Sequence, residues 1–389
     1  MSLGRGCKTW AYIQGVFKRL TGCFNFPATF CAQFCMADIE PLGACKRSVS
    51  YDQGRLKSPK HGLHTMVRGV GVGAYSTVDL CKRVKKGVSS RHLCAVKTYL
   101  LDDLRRNRCA MYGRERQVSL LSGVSQVERE VDILTKLGAA SSSHIVHLEG
   151  VISRAGSIRL VLTYAGAPVM RYVERLHAYS GRVISESGGS LYRSPPPSKV
   201  RVFAEEDAAE ILQQLLEALV CLRAHGVVHK DVKPENVLID FPVCRWRDPA
   251  YPKTVIRAAY DHERPINITL CDFNTAELLP DGRIFDAQGT VLFSPPEVFV
   301  RIDPSAGVDG FARDTWSAGI LAYCLLVGFH PIPAGTSSLE LQLNILQVNN
   351  IPLPDWIENQ SLKSVVESML HVDPAARVPA SSALEQLIV

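Results

Sequence analysis

The stretch HGVVHKDVKPENVLID, from His225 to Asp240, constrains this chain more than any other. EEDAAEILQQLLEALVCLRAHG runs into it as an amphipathic helix, with acidic residues in its first turn and Gly226 after its last. The apolar residues that leave it read as a strand. Between the two, a loop sets Asp231, Lys233 and Asn236 within six residues of one another. A carboxylate can orient a hydroxyl, an ammonium can hold a phosphate, and a carboxamide can hold a metal ion. Phosphoryl transfer asks little covalent chemistry of a protein, so positioning and charge neutralisation are most of the task.

The chain has 389 residues, enough for one large domain or two smaller ones. No uninterrupted apolar run reaches the roughly 18 residues of a membrane-spanning helix. Lys18 and Arg19 interrupt the short apolar stretch near the start, so no secretory signal is expected. Ser2 stands where N-myristoylation needs glycine. The net charge of +6 is unevenly placed: residues 1–60 hold nine Lys/Arg against three Asp/Glu, and the other 329 hold 35 of each sign. The basic character belongs to an N-terminal extension, read as a solvated tail or as a contact for an acidic partner or an anionic membrane. Five of the twelve cysteines lie there (Cys7, Cys23, Cys31, Cys35, Cys45). Without a CxxC pair they suit a zinc site poorly. Free thiols in a reducing, intracellular compartment are expected. Met36 is an alternative start that would remove most of this segment.

From about residue 64 the pattern turns β-like, TMVRGVGVGAYSTVDLCKRV and then HLCAVKTYLL, with KKGVSSR as a hairpin turn between them. Residues 101–125 are polar and read as an insertion or a frayed helix. VEREVDILTKL, Val127 to Leu137, has apolar positions at helical spacing, and HIVHLEGVIS and SIRLVLTYAG read as strands. Residues 179–200, rich in Ser, Gly and Pro, read as a mobile surface loop, and about 241–265 as an inserted hairpin. From 300 onward the pattern is mainly helical, and no internal repeat occurs. The expected architecture is α+β and two-lobed over 61–389, with a small β-rich N-lobe (about 61–165) and a larger α-helical C-lobe (about 166–389).

Several motifs flank the central loop. GVGAYSTV puts Gly71 and Gly73 where backbone N–H groups can approach phosphate oxygens. It runs on into strand rather than helix, against a dinucleotide-binding turn. CAVKTY carries Lys97, REVDIL carries Glu130, and LCDFN carries Asp272. GTVLFSPPE, DTWSAG and DPAAR follow in that order. Together these motifs resemble those of the eukaryotic protein kinases, over about residues 67–387. Lys233 within KPEN is similar to serine/threonine rather than tyrosine kinases.

The resemblance implies ATP and Mg2+ as cofactors and a role for each residue. Asp231 would orient or accept the substrate hydroxyl, and Lys233 would neutralise the transferring phosphoryl group. Asn236 and Asp272 would bind magnesium. Gly71, Gly73 and Lys97 would hold the phosphates, with Glu130 paired to Lys97. Glu128 is the rival, but two residues are roughly 200° round a helix, and the apolar face favours Glu130. Val78 and Ala95 would roof the adenine, and Leu238 belongs to the same nucleotide site. Tyr164 and Ala165 would lie in the hinge, Thr163 to Ala165, with Leu162 guarding the back. Thr290 would contact Asp231 and Lys233, Glu297 would pair with Arg377, and Asp314 would hold the catalytic-loop backbone. Leu134, Leu148, His229 and Phe273 would form an apolar spine between the lobes.

The chain also departs from that pattern. Ser76 and Asn274 stand where the family has glycine, Val169 where it often has Glu, and Lys230 where many members have Arg. Asn is the non-glycine residue that best tolerates unusual backbone angles, so activity is expected to survive at 274. The usual phosphorylation position falls on Asp286, which predicts a fixed Lys230–Asp286 ion pair in place of a phosphate switch. These departures suggest a fast-diverging member, of the kind a large DNA virus carries. The resemblance implies a monomeric serine/threonine kinase acting on protein Ser/Thr hydroxyls, with no direct nucleic-acid binding indicated. The rival reading is a pseudokinase scaffold that binds nucleotide or partners without turnover, and the intact set of Lys97, Glu130, Asp231, Asn236 and Asp272 speaks against it.

Overall fold

The computed structural model describes residues 56–58, 62–73, 75–85, 88–112, 118–138, 142–154, 156–173, 177–181, 202–239, 245–248, 251–257, 265–300 and 306–388. The cysteine-rich start with Met36, and residues 182–201 of the Ser/Gly/Pro-rich stretch, lie outside them.

Six antiparallel strands open the fold: β1 (Leu56–Ser58), β2 (Gly62–Val72), β3 (Ser76–Lys85), β4 (Val88–Leu100), and later β7 (Leu148–Arg154) and β8 (Ser157–Thr163). They pair in the order β1-β2-β3-β4-β8-β7. Leu56–Ser58 pairs with the start of β2, so the sheet begins inside the segment expected as an extension. Alternation along β4 divides its side chains between two faces. Cys94 and Val96 join Cys81, Ile152 and Val161 in a small core on one face. Ala95, Lys97 and Tyr99 point to the other, with Val78, Leu160 and Leu162 aligned beside them in register.

Residues 101–125, expected as an insertion or a frayed helix, fold differently. They form a short helix α1 (Leu101–Arg106), a hairpin of β5 (Arg108–Tyr112) and β6 (Val118–Ser122), and the start of α2 (Gly123–Gly138). The hairpin pairs only with itself, and Val118, Ser119 and Leu120 are exposed. A ribbon without a buried face shows no apolar alternation, which is why its sequence does not announce it. Gly123 lets α2 start against α1, since a Cβ there would stand 2.6 Å from the Leu104 carbonyl oxygen. Along α2, Val127, Glu130, Ile133, Leu134 and Leu137 are buried at helical spacing.

After β8 come the short strands β9 (Ala167–Pro168), β10 (Met170–Val173), β11 (Ala178–Gly181) and β12 (Val202–Phe203). The stretch expected as a mobile loop from 179 therefore begins inside a hairpin. Tyr179 and Ser180 are buried in β11, and the Tyr179 ring meets Phe293 edge-on at 5.9 Å. Helix α3 (Glu205–Ala224) follows, then β13 (Val227–Val228), β14 (Val237–Ile239), β15 (Arg245–Asp248), β16 (Tyr251–Arg257), β17 (Ile268–Leu270) and β18 (Glu277–Leu278). The inserted hairpin expected over 241–265 is β15–β16, to which β12 adds a third strand. Strands β17-β14-β9 and β13-β18 bracket the central loop.

The rest is mainly helical: β19 (Arg283–Ile284) and β20 (Val308–Asp309) precede α4 (Gly310–Val327), α5 (Ser338–Leu346), α6 (Gln360–Met369) and α7 (Ala380–Ile388). Helix α4 is buried almost all round, its polar Arg313, Asp314, Thr315 and Ser317 enclosed along with its apolar residues. The Asp309 carboxylate caps it by accepting from Phe311 N and Ala312 N, and Gly328 ends it at φ 82°. The buried Glu205 of α3 accepts from the Asn359 and Glu358 amides at 2.6 and 3.2 Å, tying α3 to the start of α6. Cys81, Cys94, Cys109, Cys221, Cys271 and Cys324 are free thiols. No described helix is long and apolar enough to cross a membrane.

Candidate active site

The loop between β13 and β14 is anchored from below. The His229 and Lys230 amides donate to the two oxygens of Asp314 on α4, at 2.7 and 2.9 Å. Lys230 adopts a left-handed backbone, φ 67°, which few non-glycine residues accept. The turn aims Asp231 at a set of donors. Thr290 gives Asp231 Oδ1 its amide at 2.8 Å and its hydroxyl at 2.6 Å. Lys233 Nζ lies 2.8 Å from Oδ2, and Asn236 Nδ2 donates to the same oxygen at 3.0 Å. Burial opposes the ionised Asp231, but the Lys233 ammonium and the hydrogen bonds from Lys233 and Thr290 outweigh it. The carboxyl is held below its ordinary range. Lys233 also donates to Thr290 Oγ1 at 2.8 Å.

The second group gathers around Lys97. Its Nζ donates to Glu130 Oε1 and to Asp272 Oδ1, both at 2.8 Å. Glu130 is buried while Glu128 is exposed, so the helix turns the former to Lys97. Tyr99, which the sequence reading passed over, donates its hydroxyl to Glu130 Oε2 at 2.6 Å. Burial disfavours a charged Lys97, yet Asp272 and Glu130 together hold it protonated with a raised pKa. Asp272 is pushed up by burial and down, more strongly, by Lys97. It too is left-handed, at φ 66°. Asn274 is not among the left-handed residues. It lies in a single 3-10 turn, Phe273–Thr275, so this arrangement does not need the expected glycine.

The donor chemistry suits a magnesium nucleotide. Asn236 spends Nδ2 on Asp231, its backbone carbonyl (2.8 Å) as well as its carboxylate, which leaves Oδ1 as a ligand oxygen. The Asp272 side chain is 35% exposed and offers a carboxylate. No cluster of three or more metal-holding His, Cys, Asp or Glu occurs among the described residues. Magnesium fits such a set, since it takes one or two protein ligands and completes its shell with phosphate oxygens and water. Gly71, near the end of β2, pairs with Val78, and Gly73 lies in the turn to β3, closed by Gly73 N to Ser76 O at 2.7 Å; both are exposed. A Cβ at 71 would meet nothing within 4 Å. Val78 pairs with Lys97 and Ala95 with Leu162 in register, while Leu238 pairs with Pro168. Tyr164 and Ala165 link β8 to β9, and all five of Val78, Ala95, Tyr164, Ala165 and Leu238 are half-buried. The His229 and Phe273 rings meet edge-on at 4.8 Å, with Leu134 and Leu148 in the same core.

A third cluster ties the loop to the segment after Asp272. Lys230 Nζ donates to both Asp286 oxygens at 3.2 Å and also pairs with Glu277. Arg129 on α2 reaches the same Glu277 at 3.8 Å. Burial raises the Asp286 carboxyl, but Lys230 and the Gln288 amide lower it further. The fully buried Arg313 donates to the Lys230 carbonyl at 3.0 Å and to the Gln288 carbonyl. Gly289 is required beside them: φ is 105°, and a Cβ would collide with the Lys230 carbonyl oxygen. The pairing of β13 with β18 brings Glu277 here, a long-range contact that no local motif signals. Tyr99 was within reach of sequence reasoning, because a residue two after Lys97 on a strand shares its face.

The protein kinase domain family matches residues 64–388. A CBL-interacting serine/threonine-protein kinase of Arabidopsis thaliana is 25% identical over 328 residues, 83% of this chain and 59% of its own length. A calcium-dependent protein kinase of Oryza sativa subsp. japonica is 24% identical over 327 residues, 83% of this chain and 48% of its own. A serine/threonine-protein kinase of Drosophila melanogaster is 24% identical over 341 residues, 87% of this chain and 36% of its own. The chain thus spans from 36% to 59% of these relatives' lengths.

Proposed function

This chain belongs to the protein kinase family, and we propose that it is a working serine/threonine kinase rather than a scaffold built on that fold. One observation carries the reading. Asp231 is held ionised, with Lys233 and Thr290 around it, while Lys97, Glu130 and Asp272 are already joined. A scaffold has no need of both clusters in working geometry.

In this reading Asp231 Oδ2, or Oδ1 once Thr290 yields, accepts the hydrogen bond of an incoming Ser or Thr hydroxyl. Its lowered pKa suits orientation of the hydroxyl more than early removal of its proton. Lys233, 2.8 Å away, offsets charge on the group in transfer. Asn236 and Asp272 would supply oxygen ligands for Mg2+, which would offset the charge of the ATP phosphates. Lys97 leaves Asp272 for the phosphates and keeps Glu130. The substrates are protein Ser/Thr hydroxyls. Lys230 with Asp286 serves as a built-in substitute for an activating phosphate.

Transfer of labelled γ-phosphate from Mg-ATP to a generic protein substrate tests this, with wild type beside Asp231→Asn. Incorporation on Ser/Thr should fall by about a hundredfold or more in the variant. Equal background from both, in protein that binds ATP, would instead support the scaffold.

A further inference from the structure

Tyr99 lies two residues beyond Lys97 on β4, on the same face of the sheet. Its hydroxyl donates to Glu130 Oε2 at 2.6 Å, while Lys97 holds Oε1 at 2.8 Å. Each carboxylate oxygen therefore has its own donor, and both donors stand on one strand. Glu130 is 2% exposed and Tyr99 5%, so solvent does not replace either contact. The Lys97 ammonium also lies 5.2 Å from the centre of the Tyr99 ring, close enough for attraction to its face. The tyrosine touches both members of the pair. Burial holds its phenol well above the ordinary pKa, which keeps the proton it donates.

The consequence appears when a nucleotide binds. In this structure Lys97 is shared between Glu130 and Asp272. Once Asp272 turns to the cation, Glu130 is the carboxylate left to steer the ammonium. A carboxylate held at one oxygen by a flexible lysine can rotate about its last bond. Held at both oxygens it cannot. We propose that Tyr99 is a positioning residue that fixes the rotation of Glu130 and, through it, aims Lys97 at the nucleotide phosphates. This rests on the kinase reading above.

The test uses the full chain, with kcat and KM for Mg-ATP, Mg-ADP affinity and thermal midpoint measured together. Tyr99→Phe removes one oxygen and keeps the ring. It should lower kcat/KM by about tenfold, the effect of losing a hydrogen bond to a charged group, with most of the loss in kcat. Tyr99→Leu separates packing from positioning. If Tyr99→Phe keeps wild-type kcat and KM and only Tyr99→Leu is impaired, the residue is filler and the proposal is wrong. Because Tyr99 acts through Glu130, adding Tyr99→Phe to Glu130→Ala should cost nothing further. A full second loss would also overturn it. Should the wild type itself transfer no phosphate, the kinase reading fails separately. Mg-ADP affinity then decides the tyrosine: about tenfold weaker in Tyr99→Phe sustains the proposal, and equal affinity ends it.

Discussion

His330 packs edge-on against Phe293 at 5.3 Å, with its Nδ1 engaged by the Ile332 backbone. Burial lowers its pKa from 6.5 to about 4. The folded chain keeps this imidazole neutral down to about pH 4, whereas the unfolded chain protonates it near 6.5. Between those values the unfolded state binds the extra proton, so stability is full above 6.5 and falls as pH drops toward 4. The loss is on the order of 3 kcal/mol. Thermal midpoints across that window should fall steeply for wild type and less for His330→Asn, and matching slopes would place the acid sensitivity elsewhere. Asp231, Asp272 and Asp286 are also depressed, but from an ordinary value of 3.8, so their contribution is lost only as pH falls below about 3.8. The residues proposed to carry the chemistry, Lys97, Asp231, Asn236 and Asp272, stand out in the sequence because they sit in ordered motifs. Tyr99 shares the face of Lys97 and was within reach, but an aromatic in a strand passes easily for apolar packing. Glu277 was not within reach, because its meeting with Lys230 spans 47 residues of chain.

Among the elements, the loop between β13 and β14, the segment after Asp272 and helix α2 are joined by one charge relay, Arg129–Glu277–Lys230–Asp286. Lys230 is fully enclosed, so removing a partner leaves a buried ammonium short of compensation. Asp286→Ala should cost about 3–5 kcal/mol and lower the activity of unphosphorylated protein. Denaturant unfolding and phosphate transfer on phosphatase-treated enzyme check both, and unchanged transfer would remove Asp286 from any activating role. Elements with a buried face were readable: α2 and α3 from helical spacing, β3, β4 and β8 from their apolar runs. The β5–β6 ribbon was not, lacking a buried face. The β10–β11 hairpin was masked by the Ser- and Gly-rich residues that follow it, although Tyr179 is core.

Across the whole molecule, the two-lobed α+β plan follows from a β-rich half preceding a helical one, and that order is plain in the sequence. Less plain is how distant ends are fastened. Arg377, just before α7, forms a two-pronged pair with Glu297 at 2.6 and 3.1 Å, and its guanidinium lies 4.9 Å from the Trp316 ring centre. Arg377→Met should destabilise the domain by about 3–5 kcal/mol in denaturant unfolding, because it strands the Glu297 carboxylate. A change below about 1 kcal/mol would make the pair incidental. One consequence of the relay reaches beyond the fold. Its two cations are paired with two carboxylates as soon as the chain folds. A phosphate placed there would set nearly two more negative charges beside carboxylates that these cations already hold. A signal needs a mark that can be written and erased, and this site has no blank state to write on. On the proposed reading, output would follow how much protein is made and how long it lasts, with synthesis and degradation as the controls.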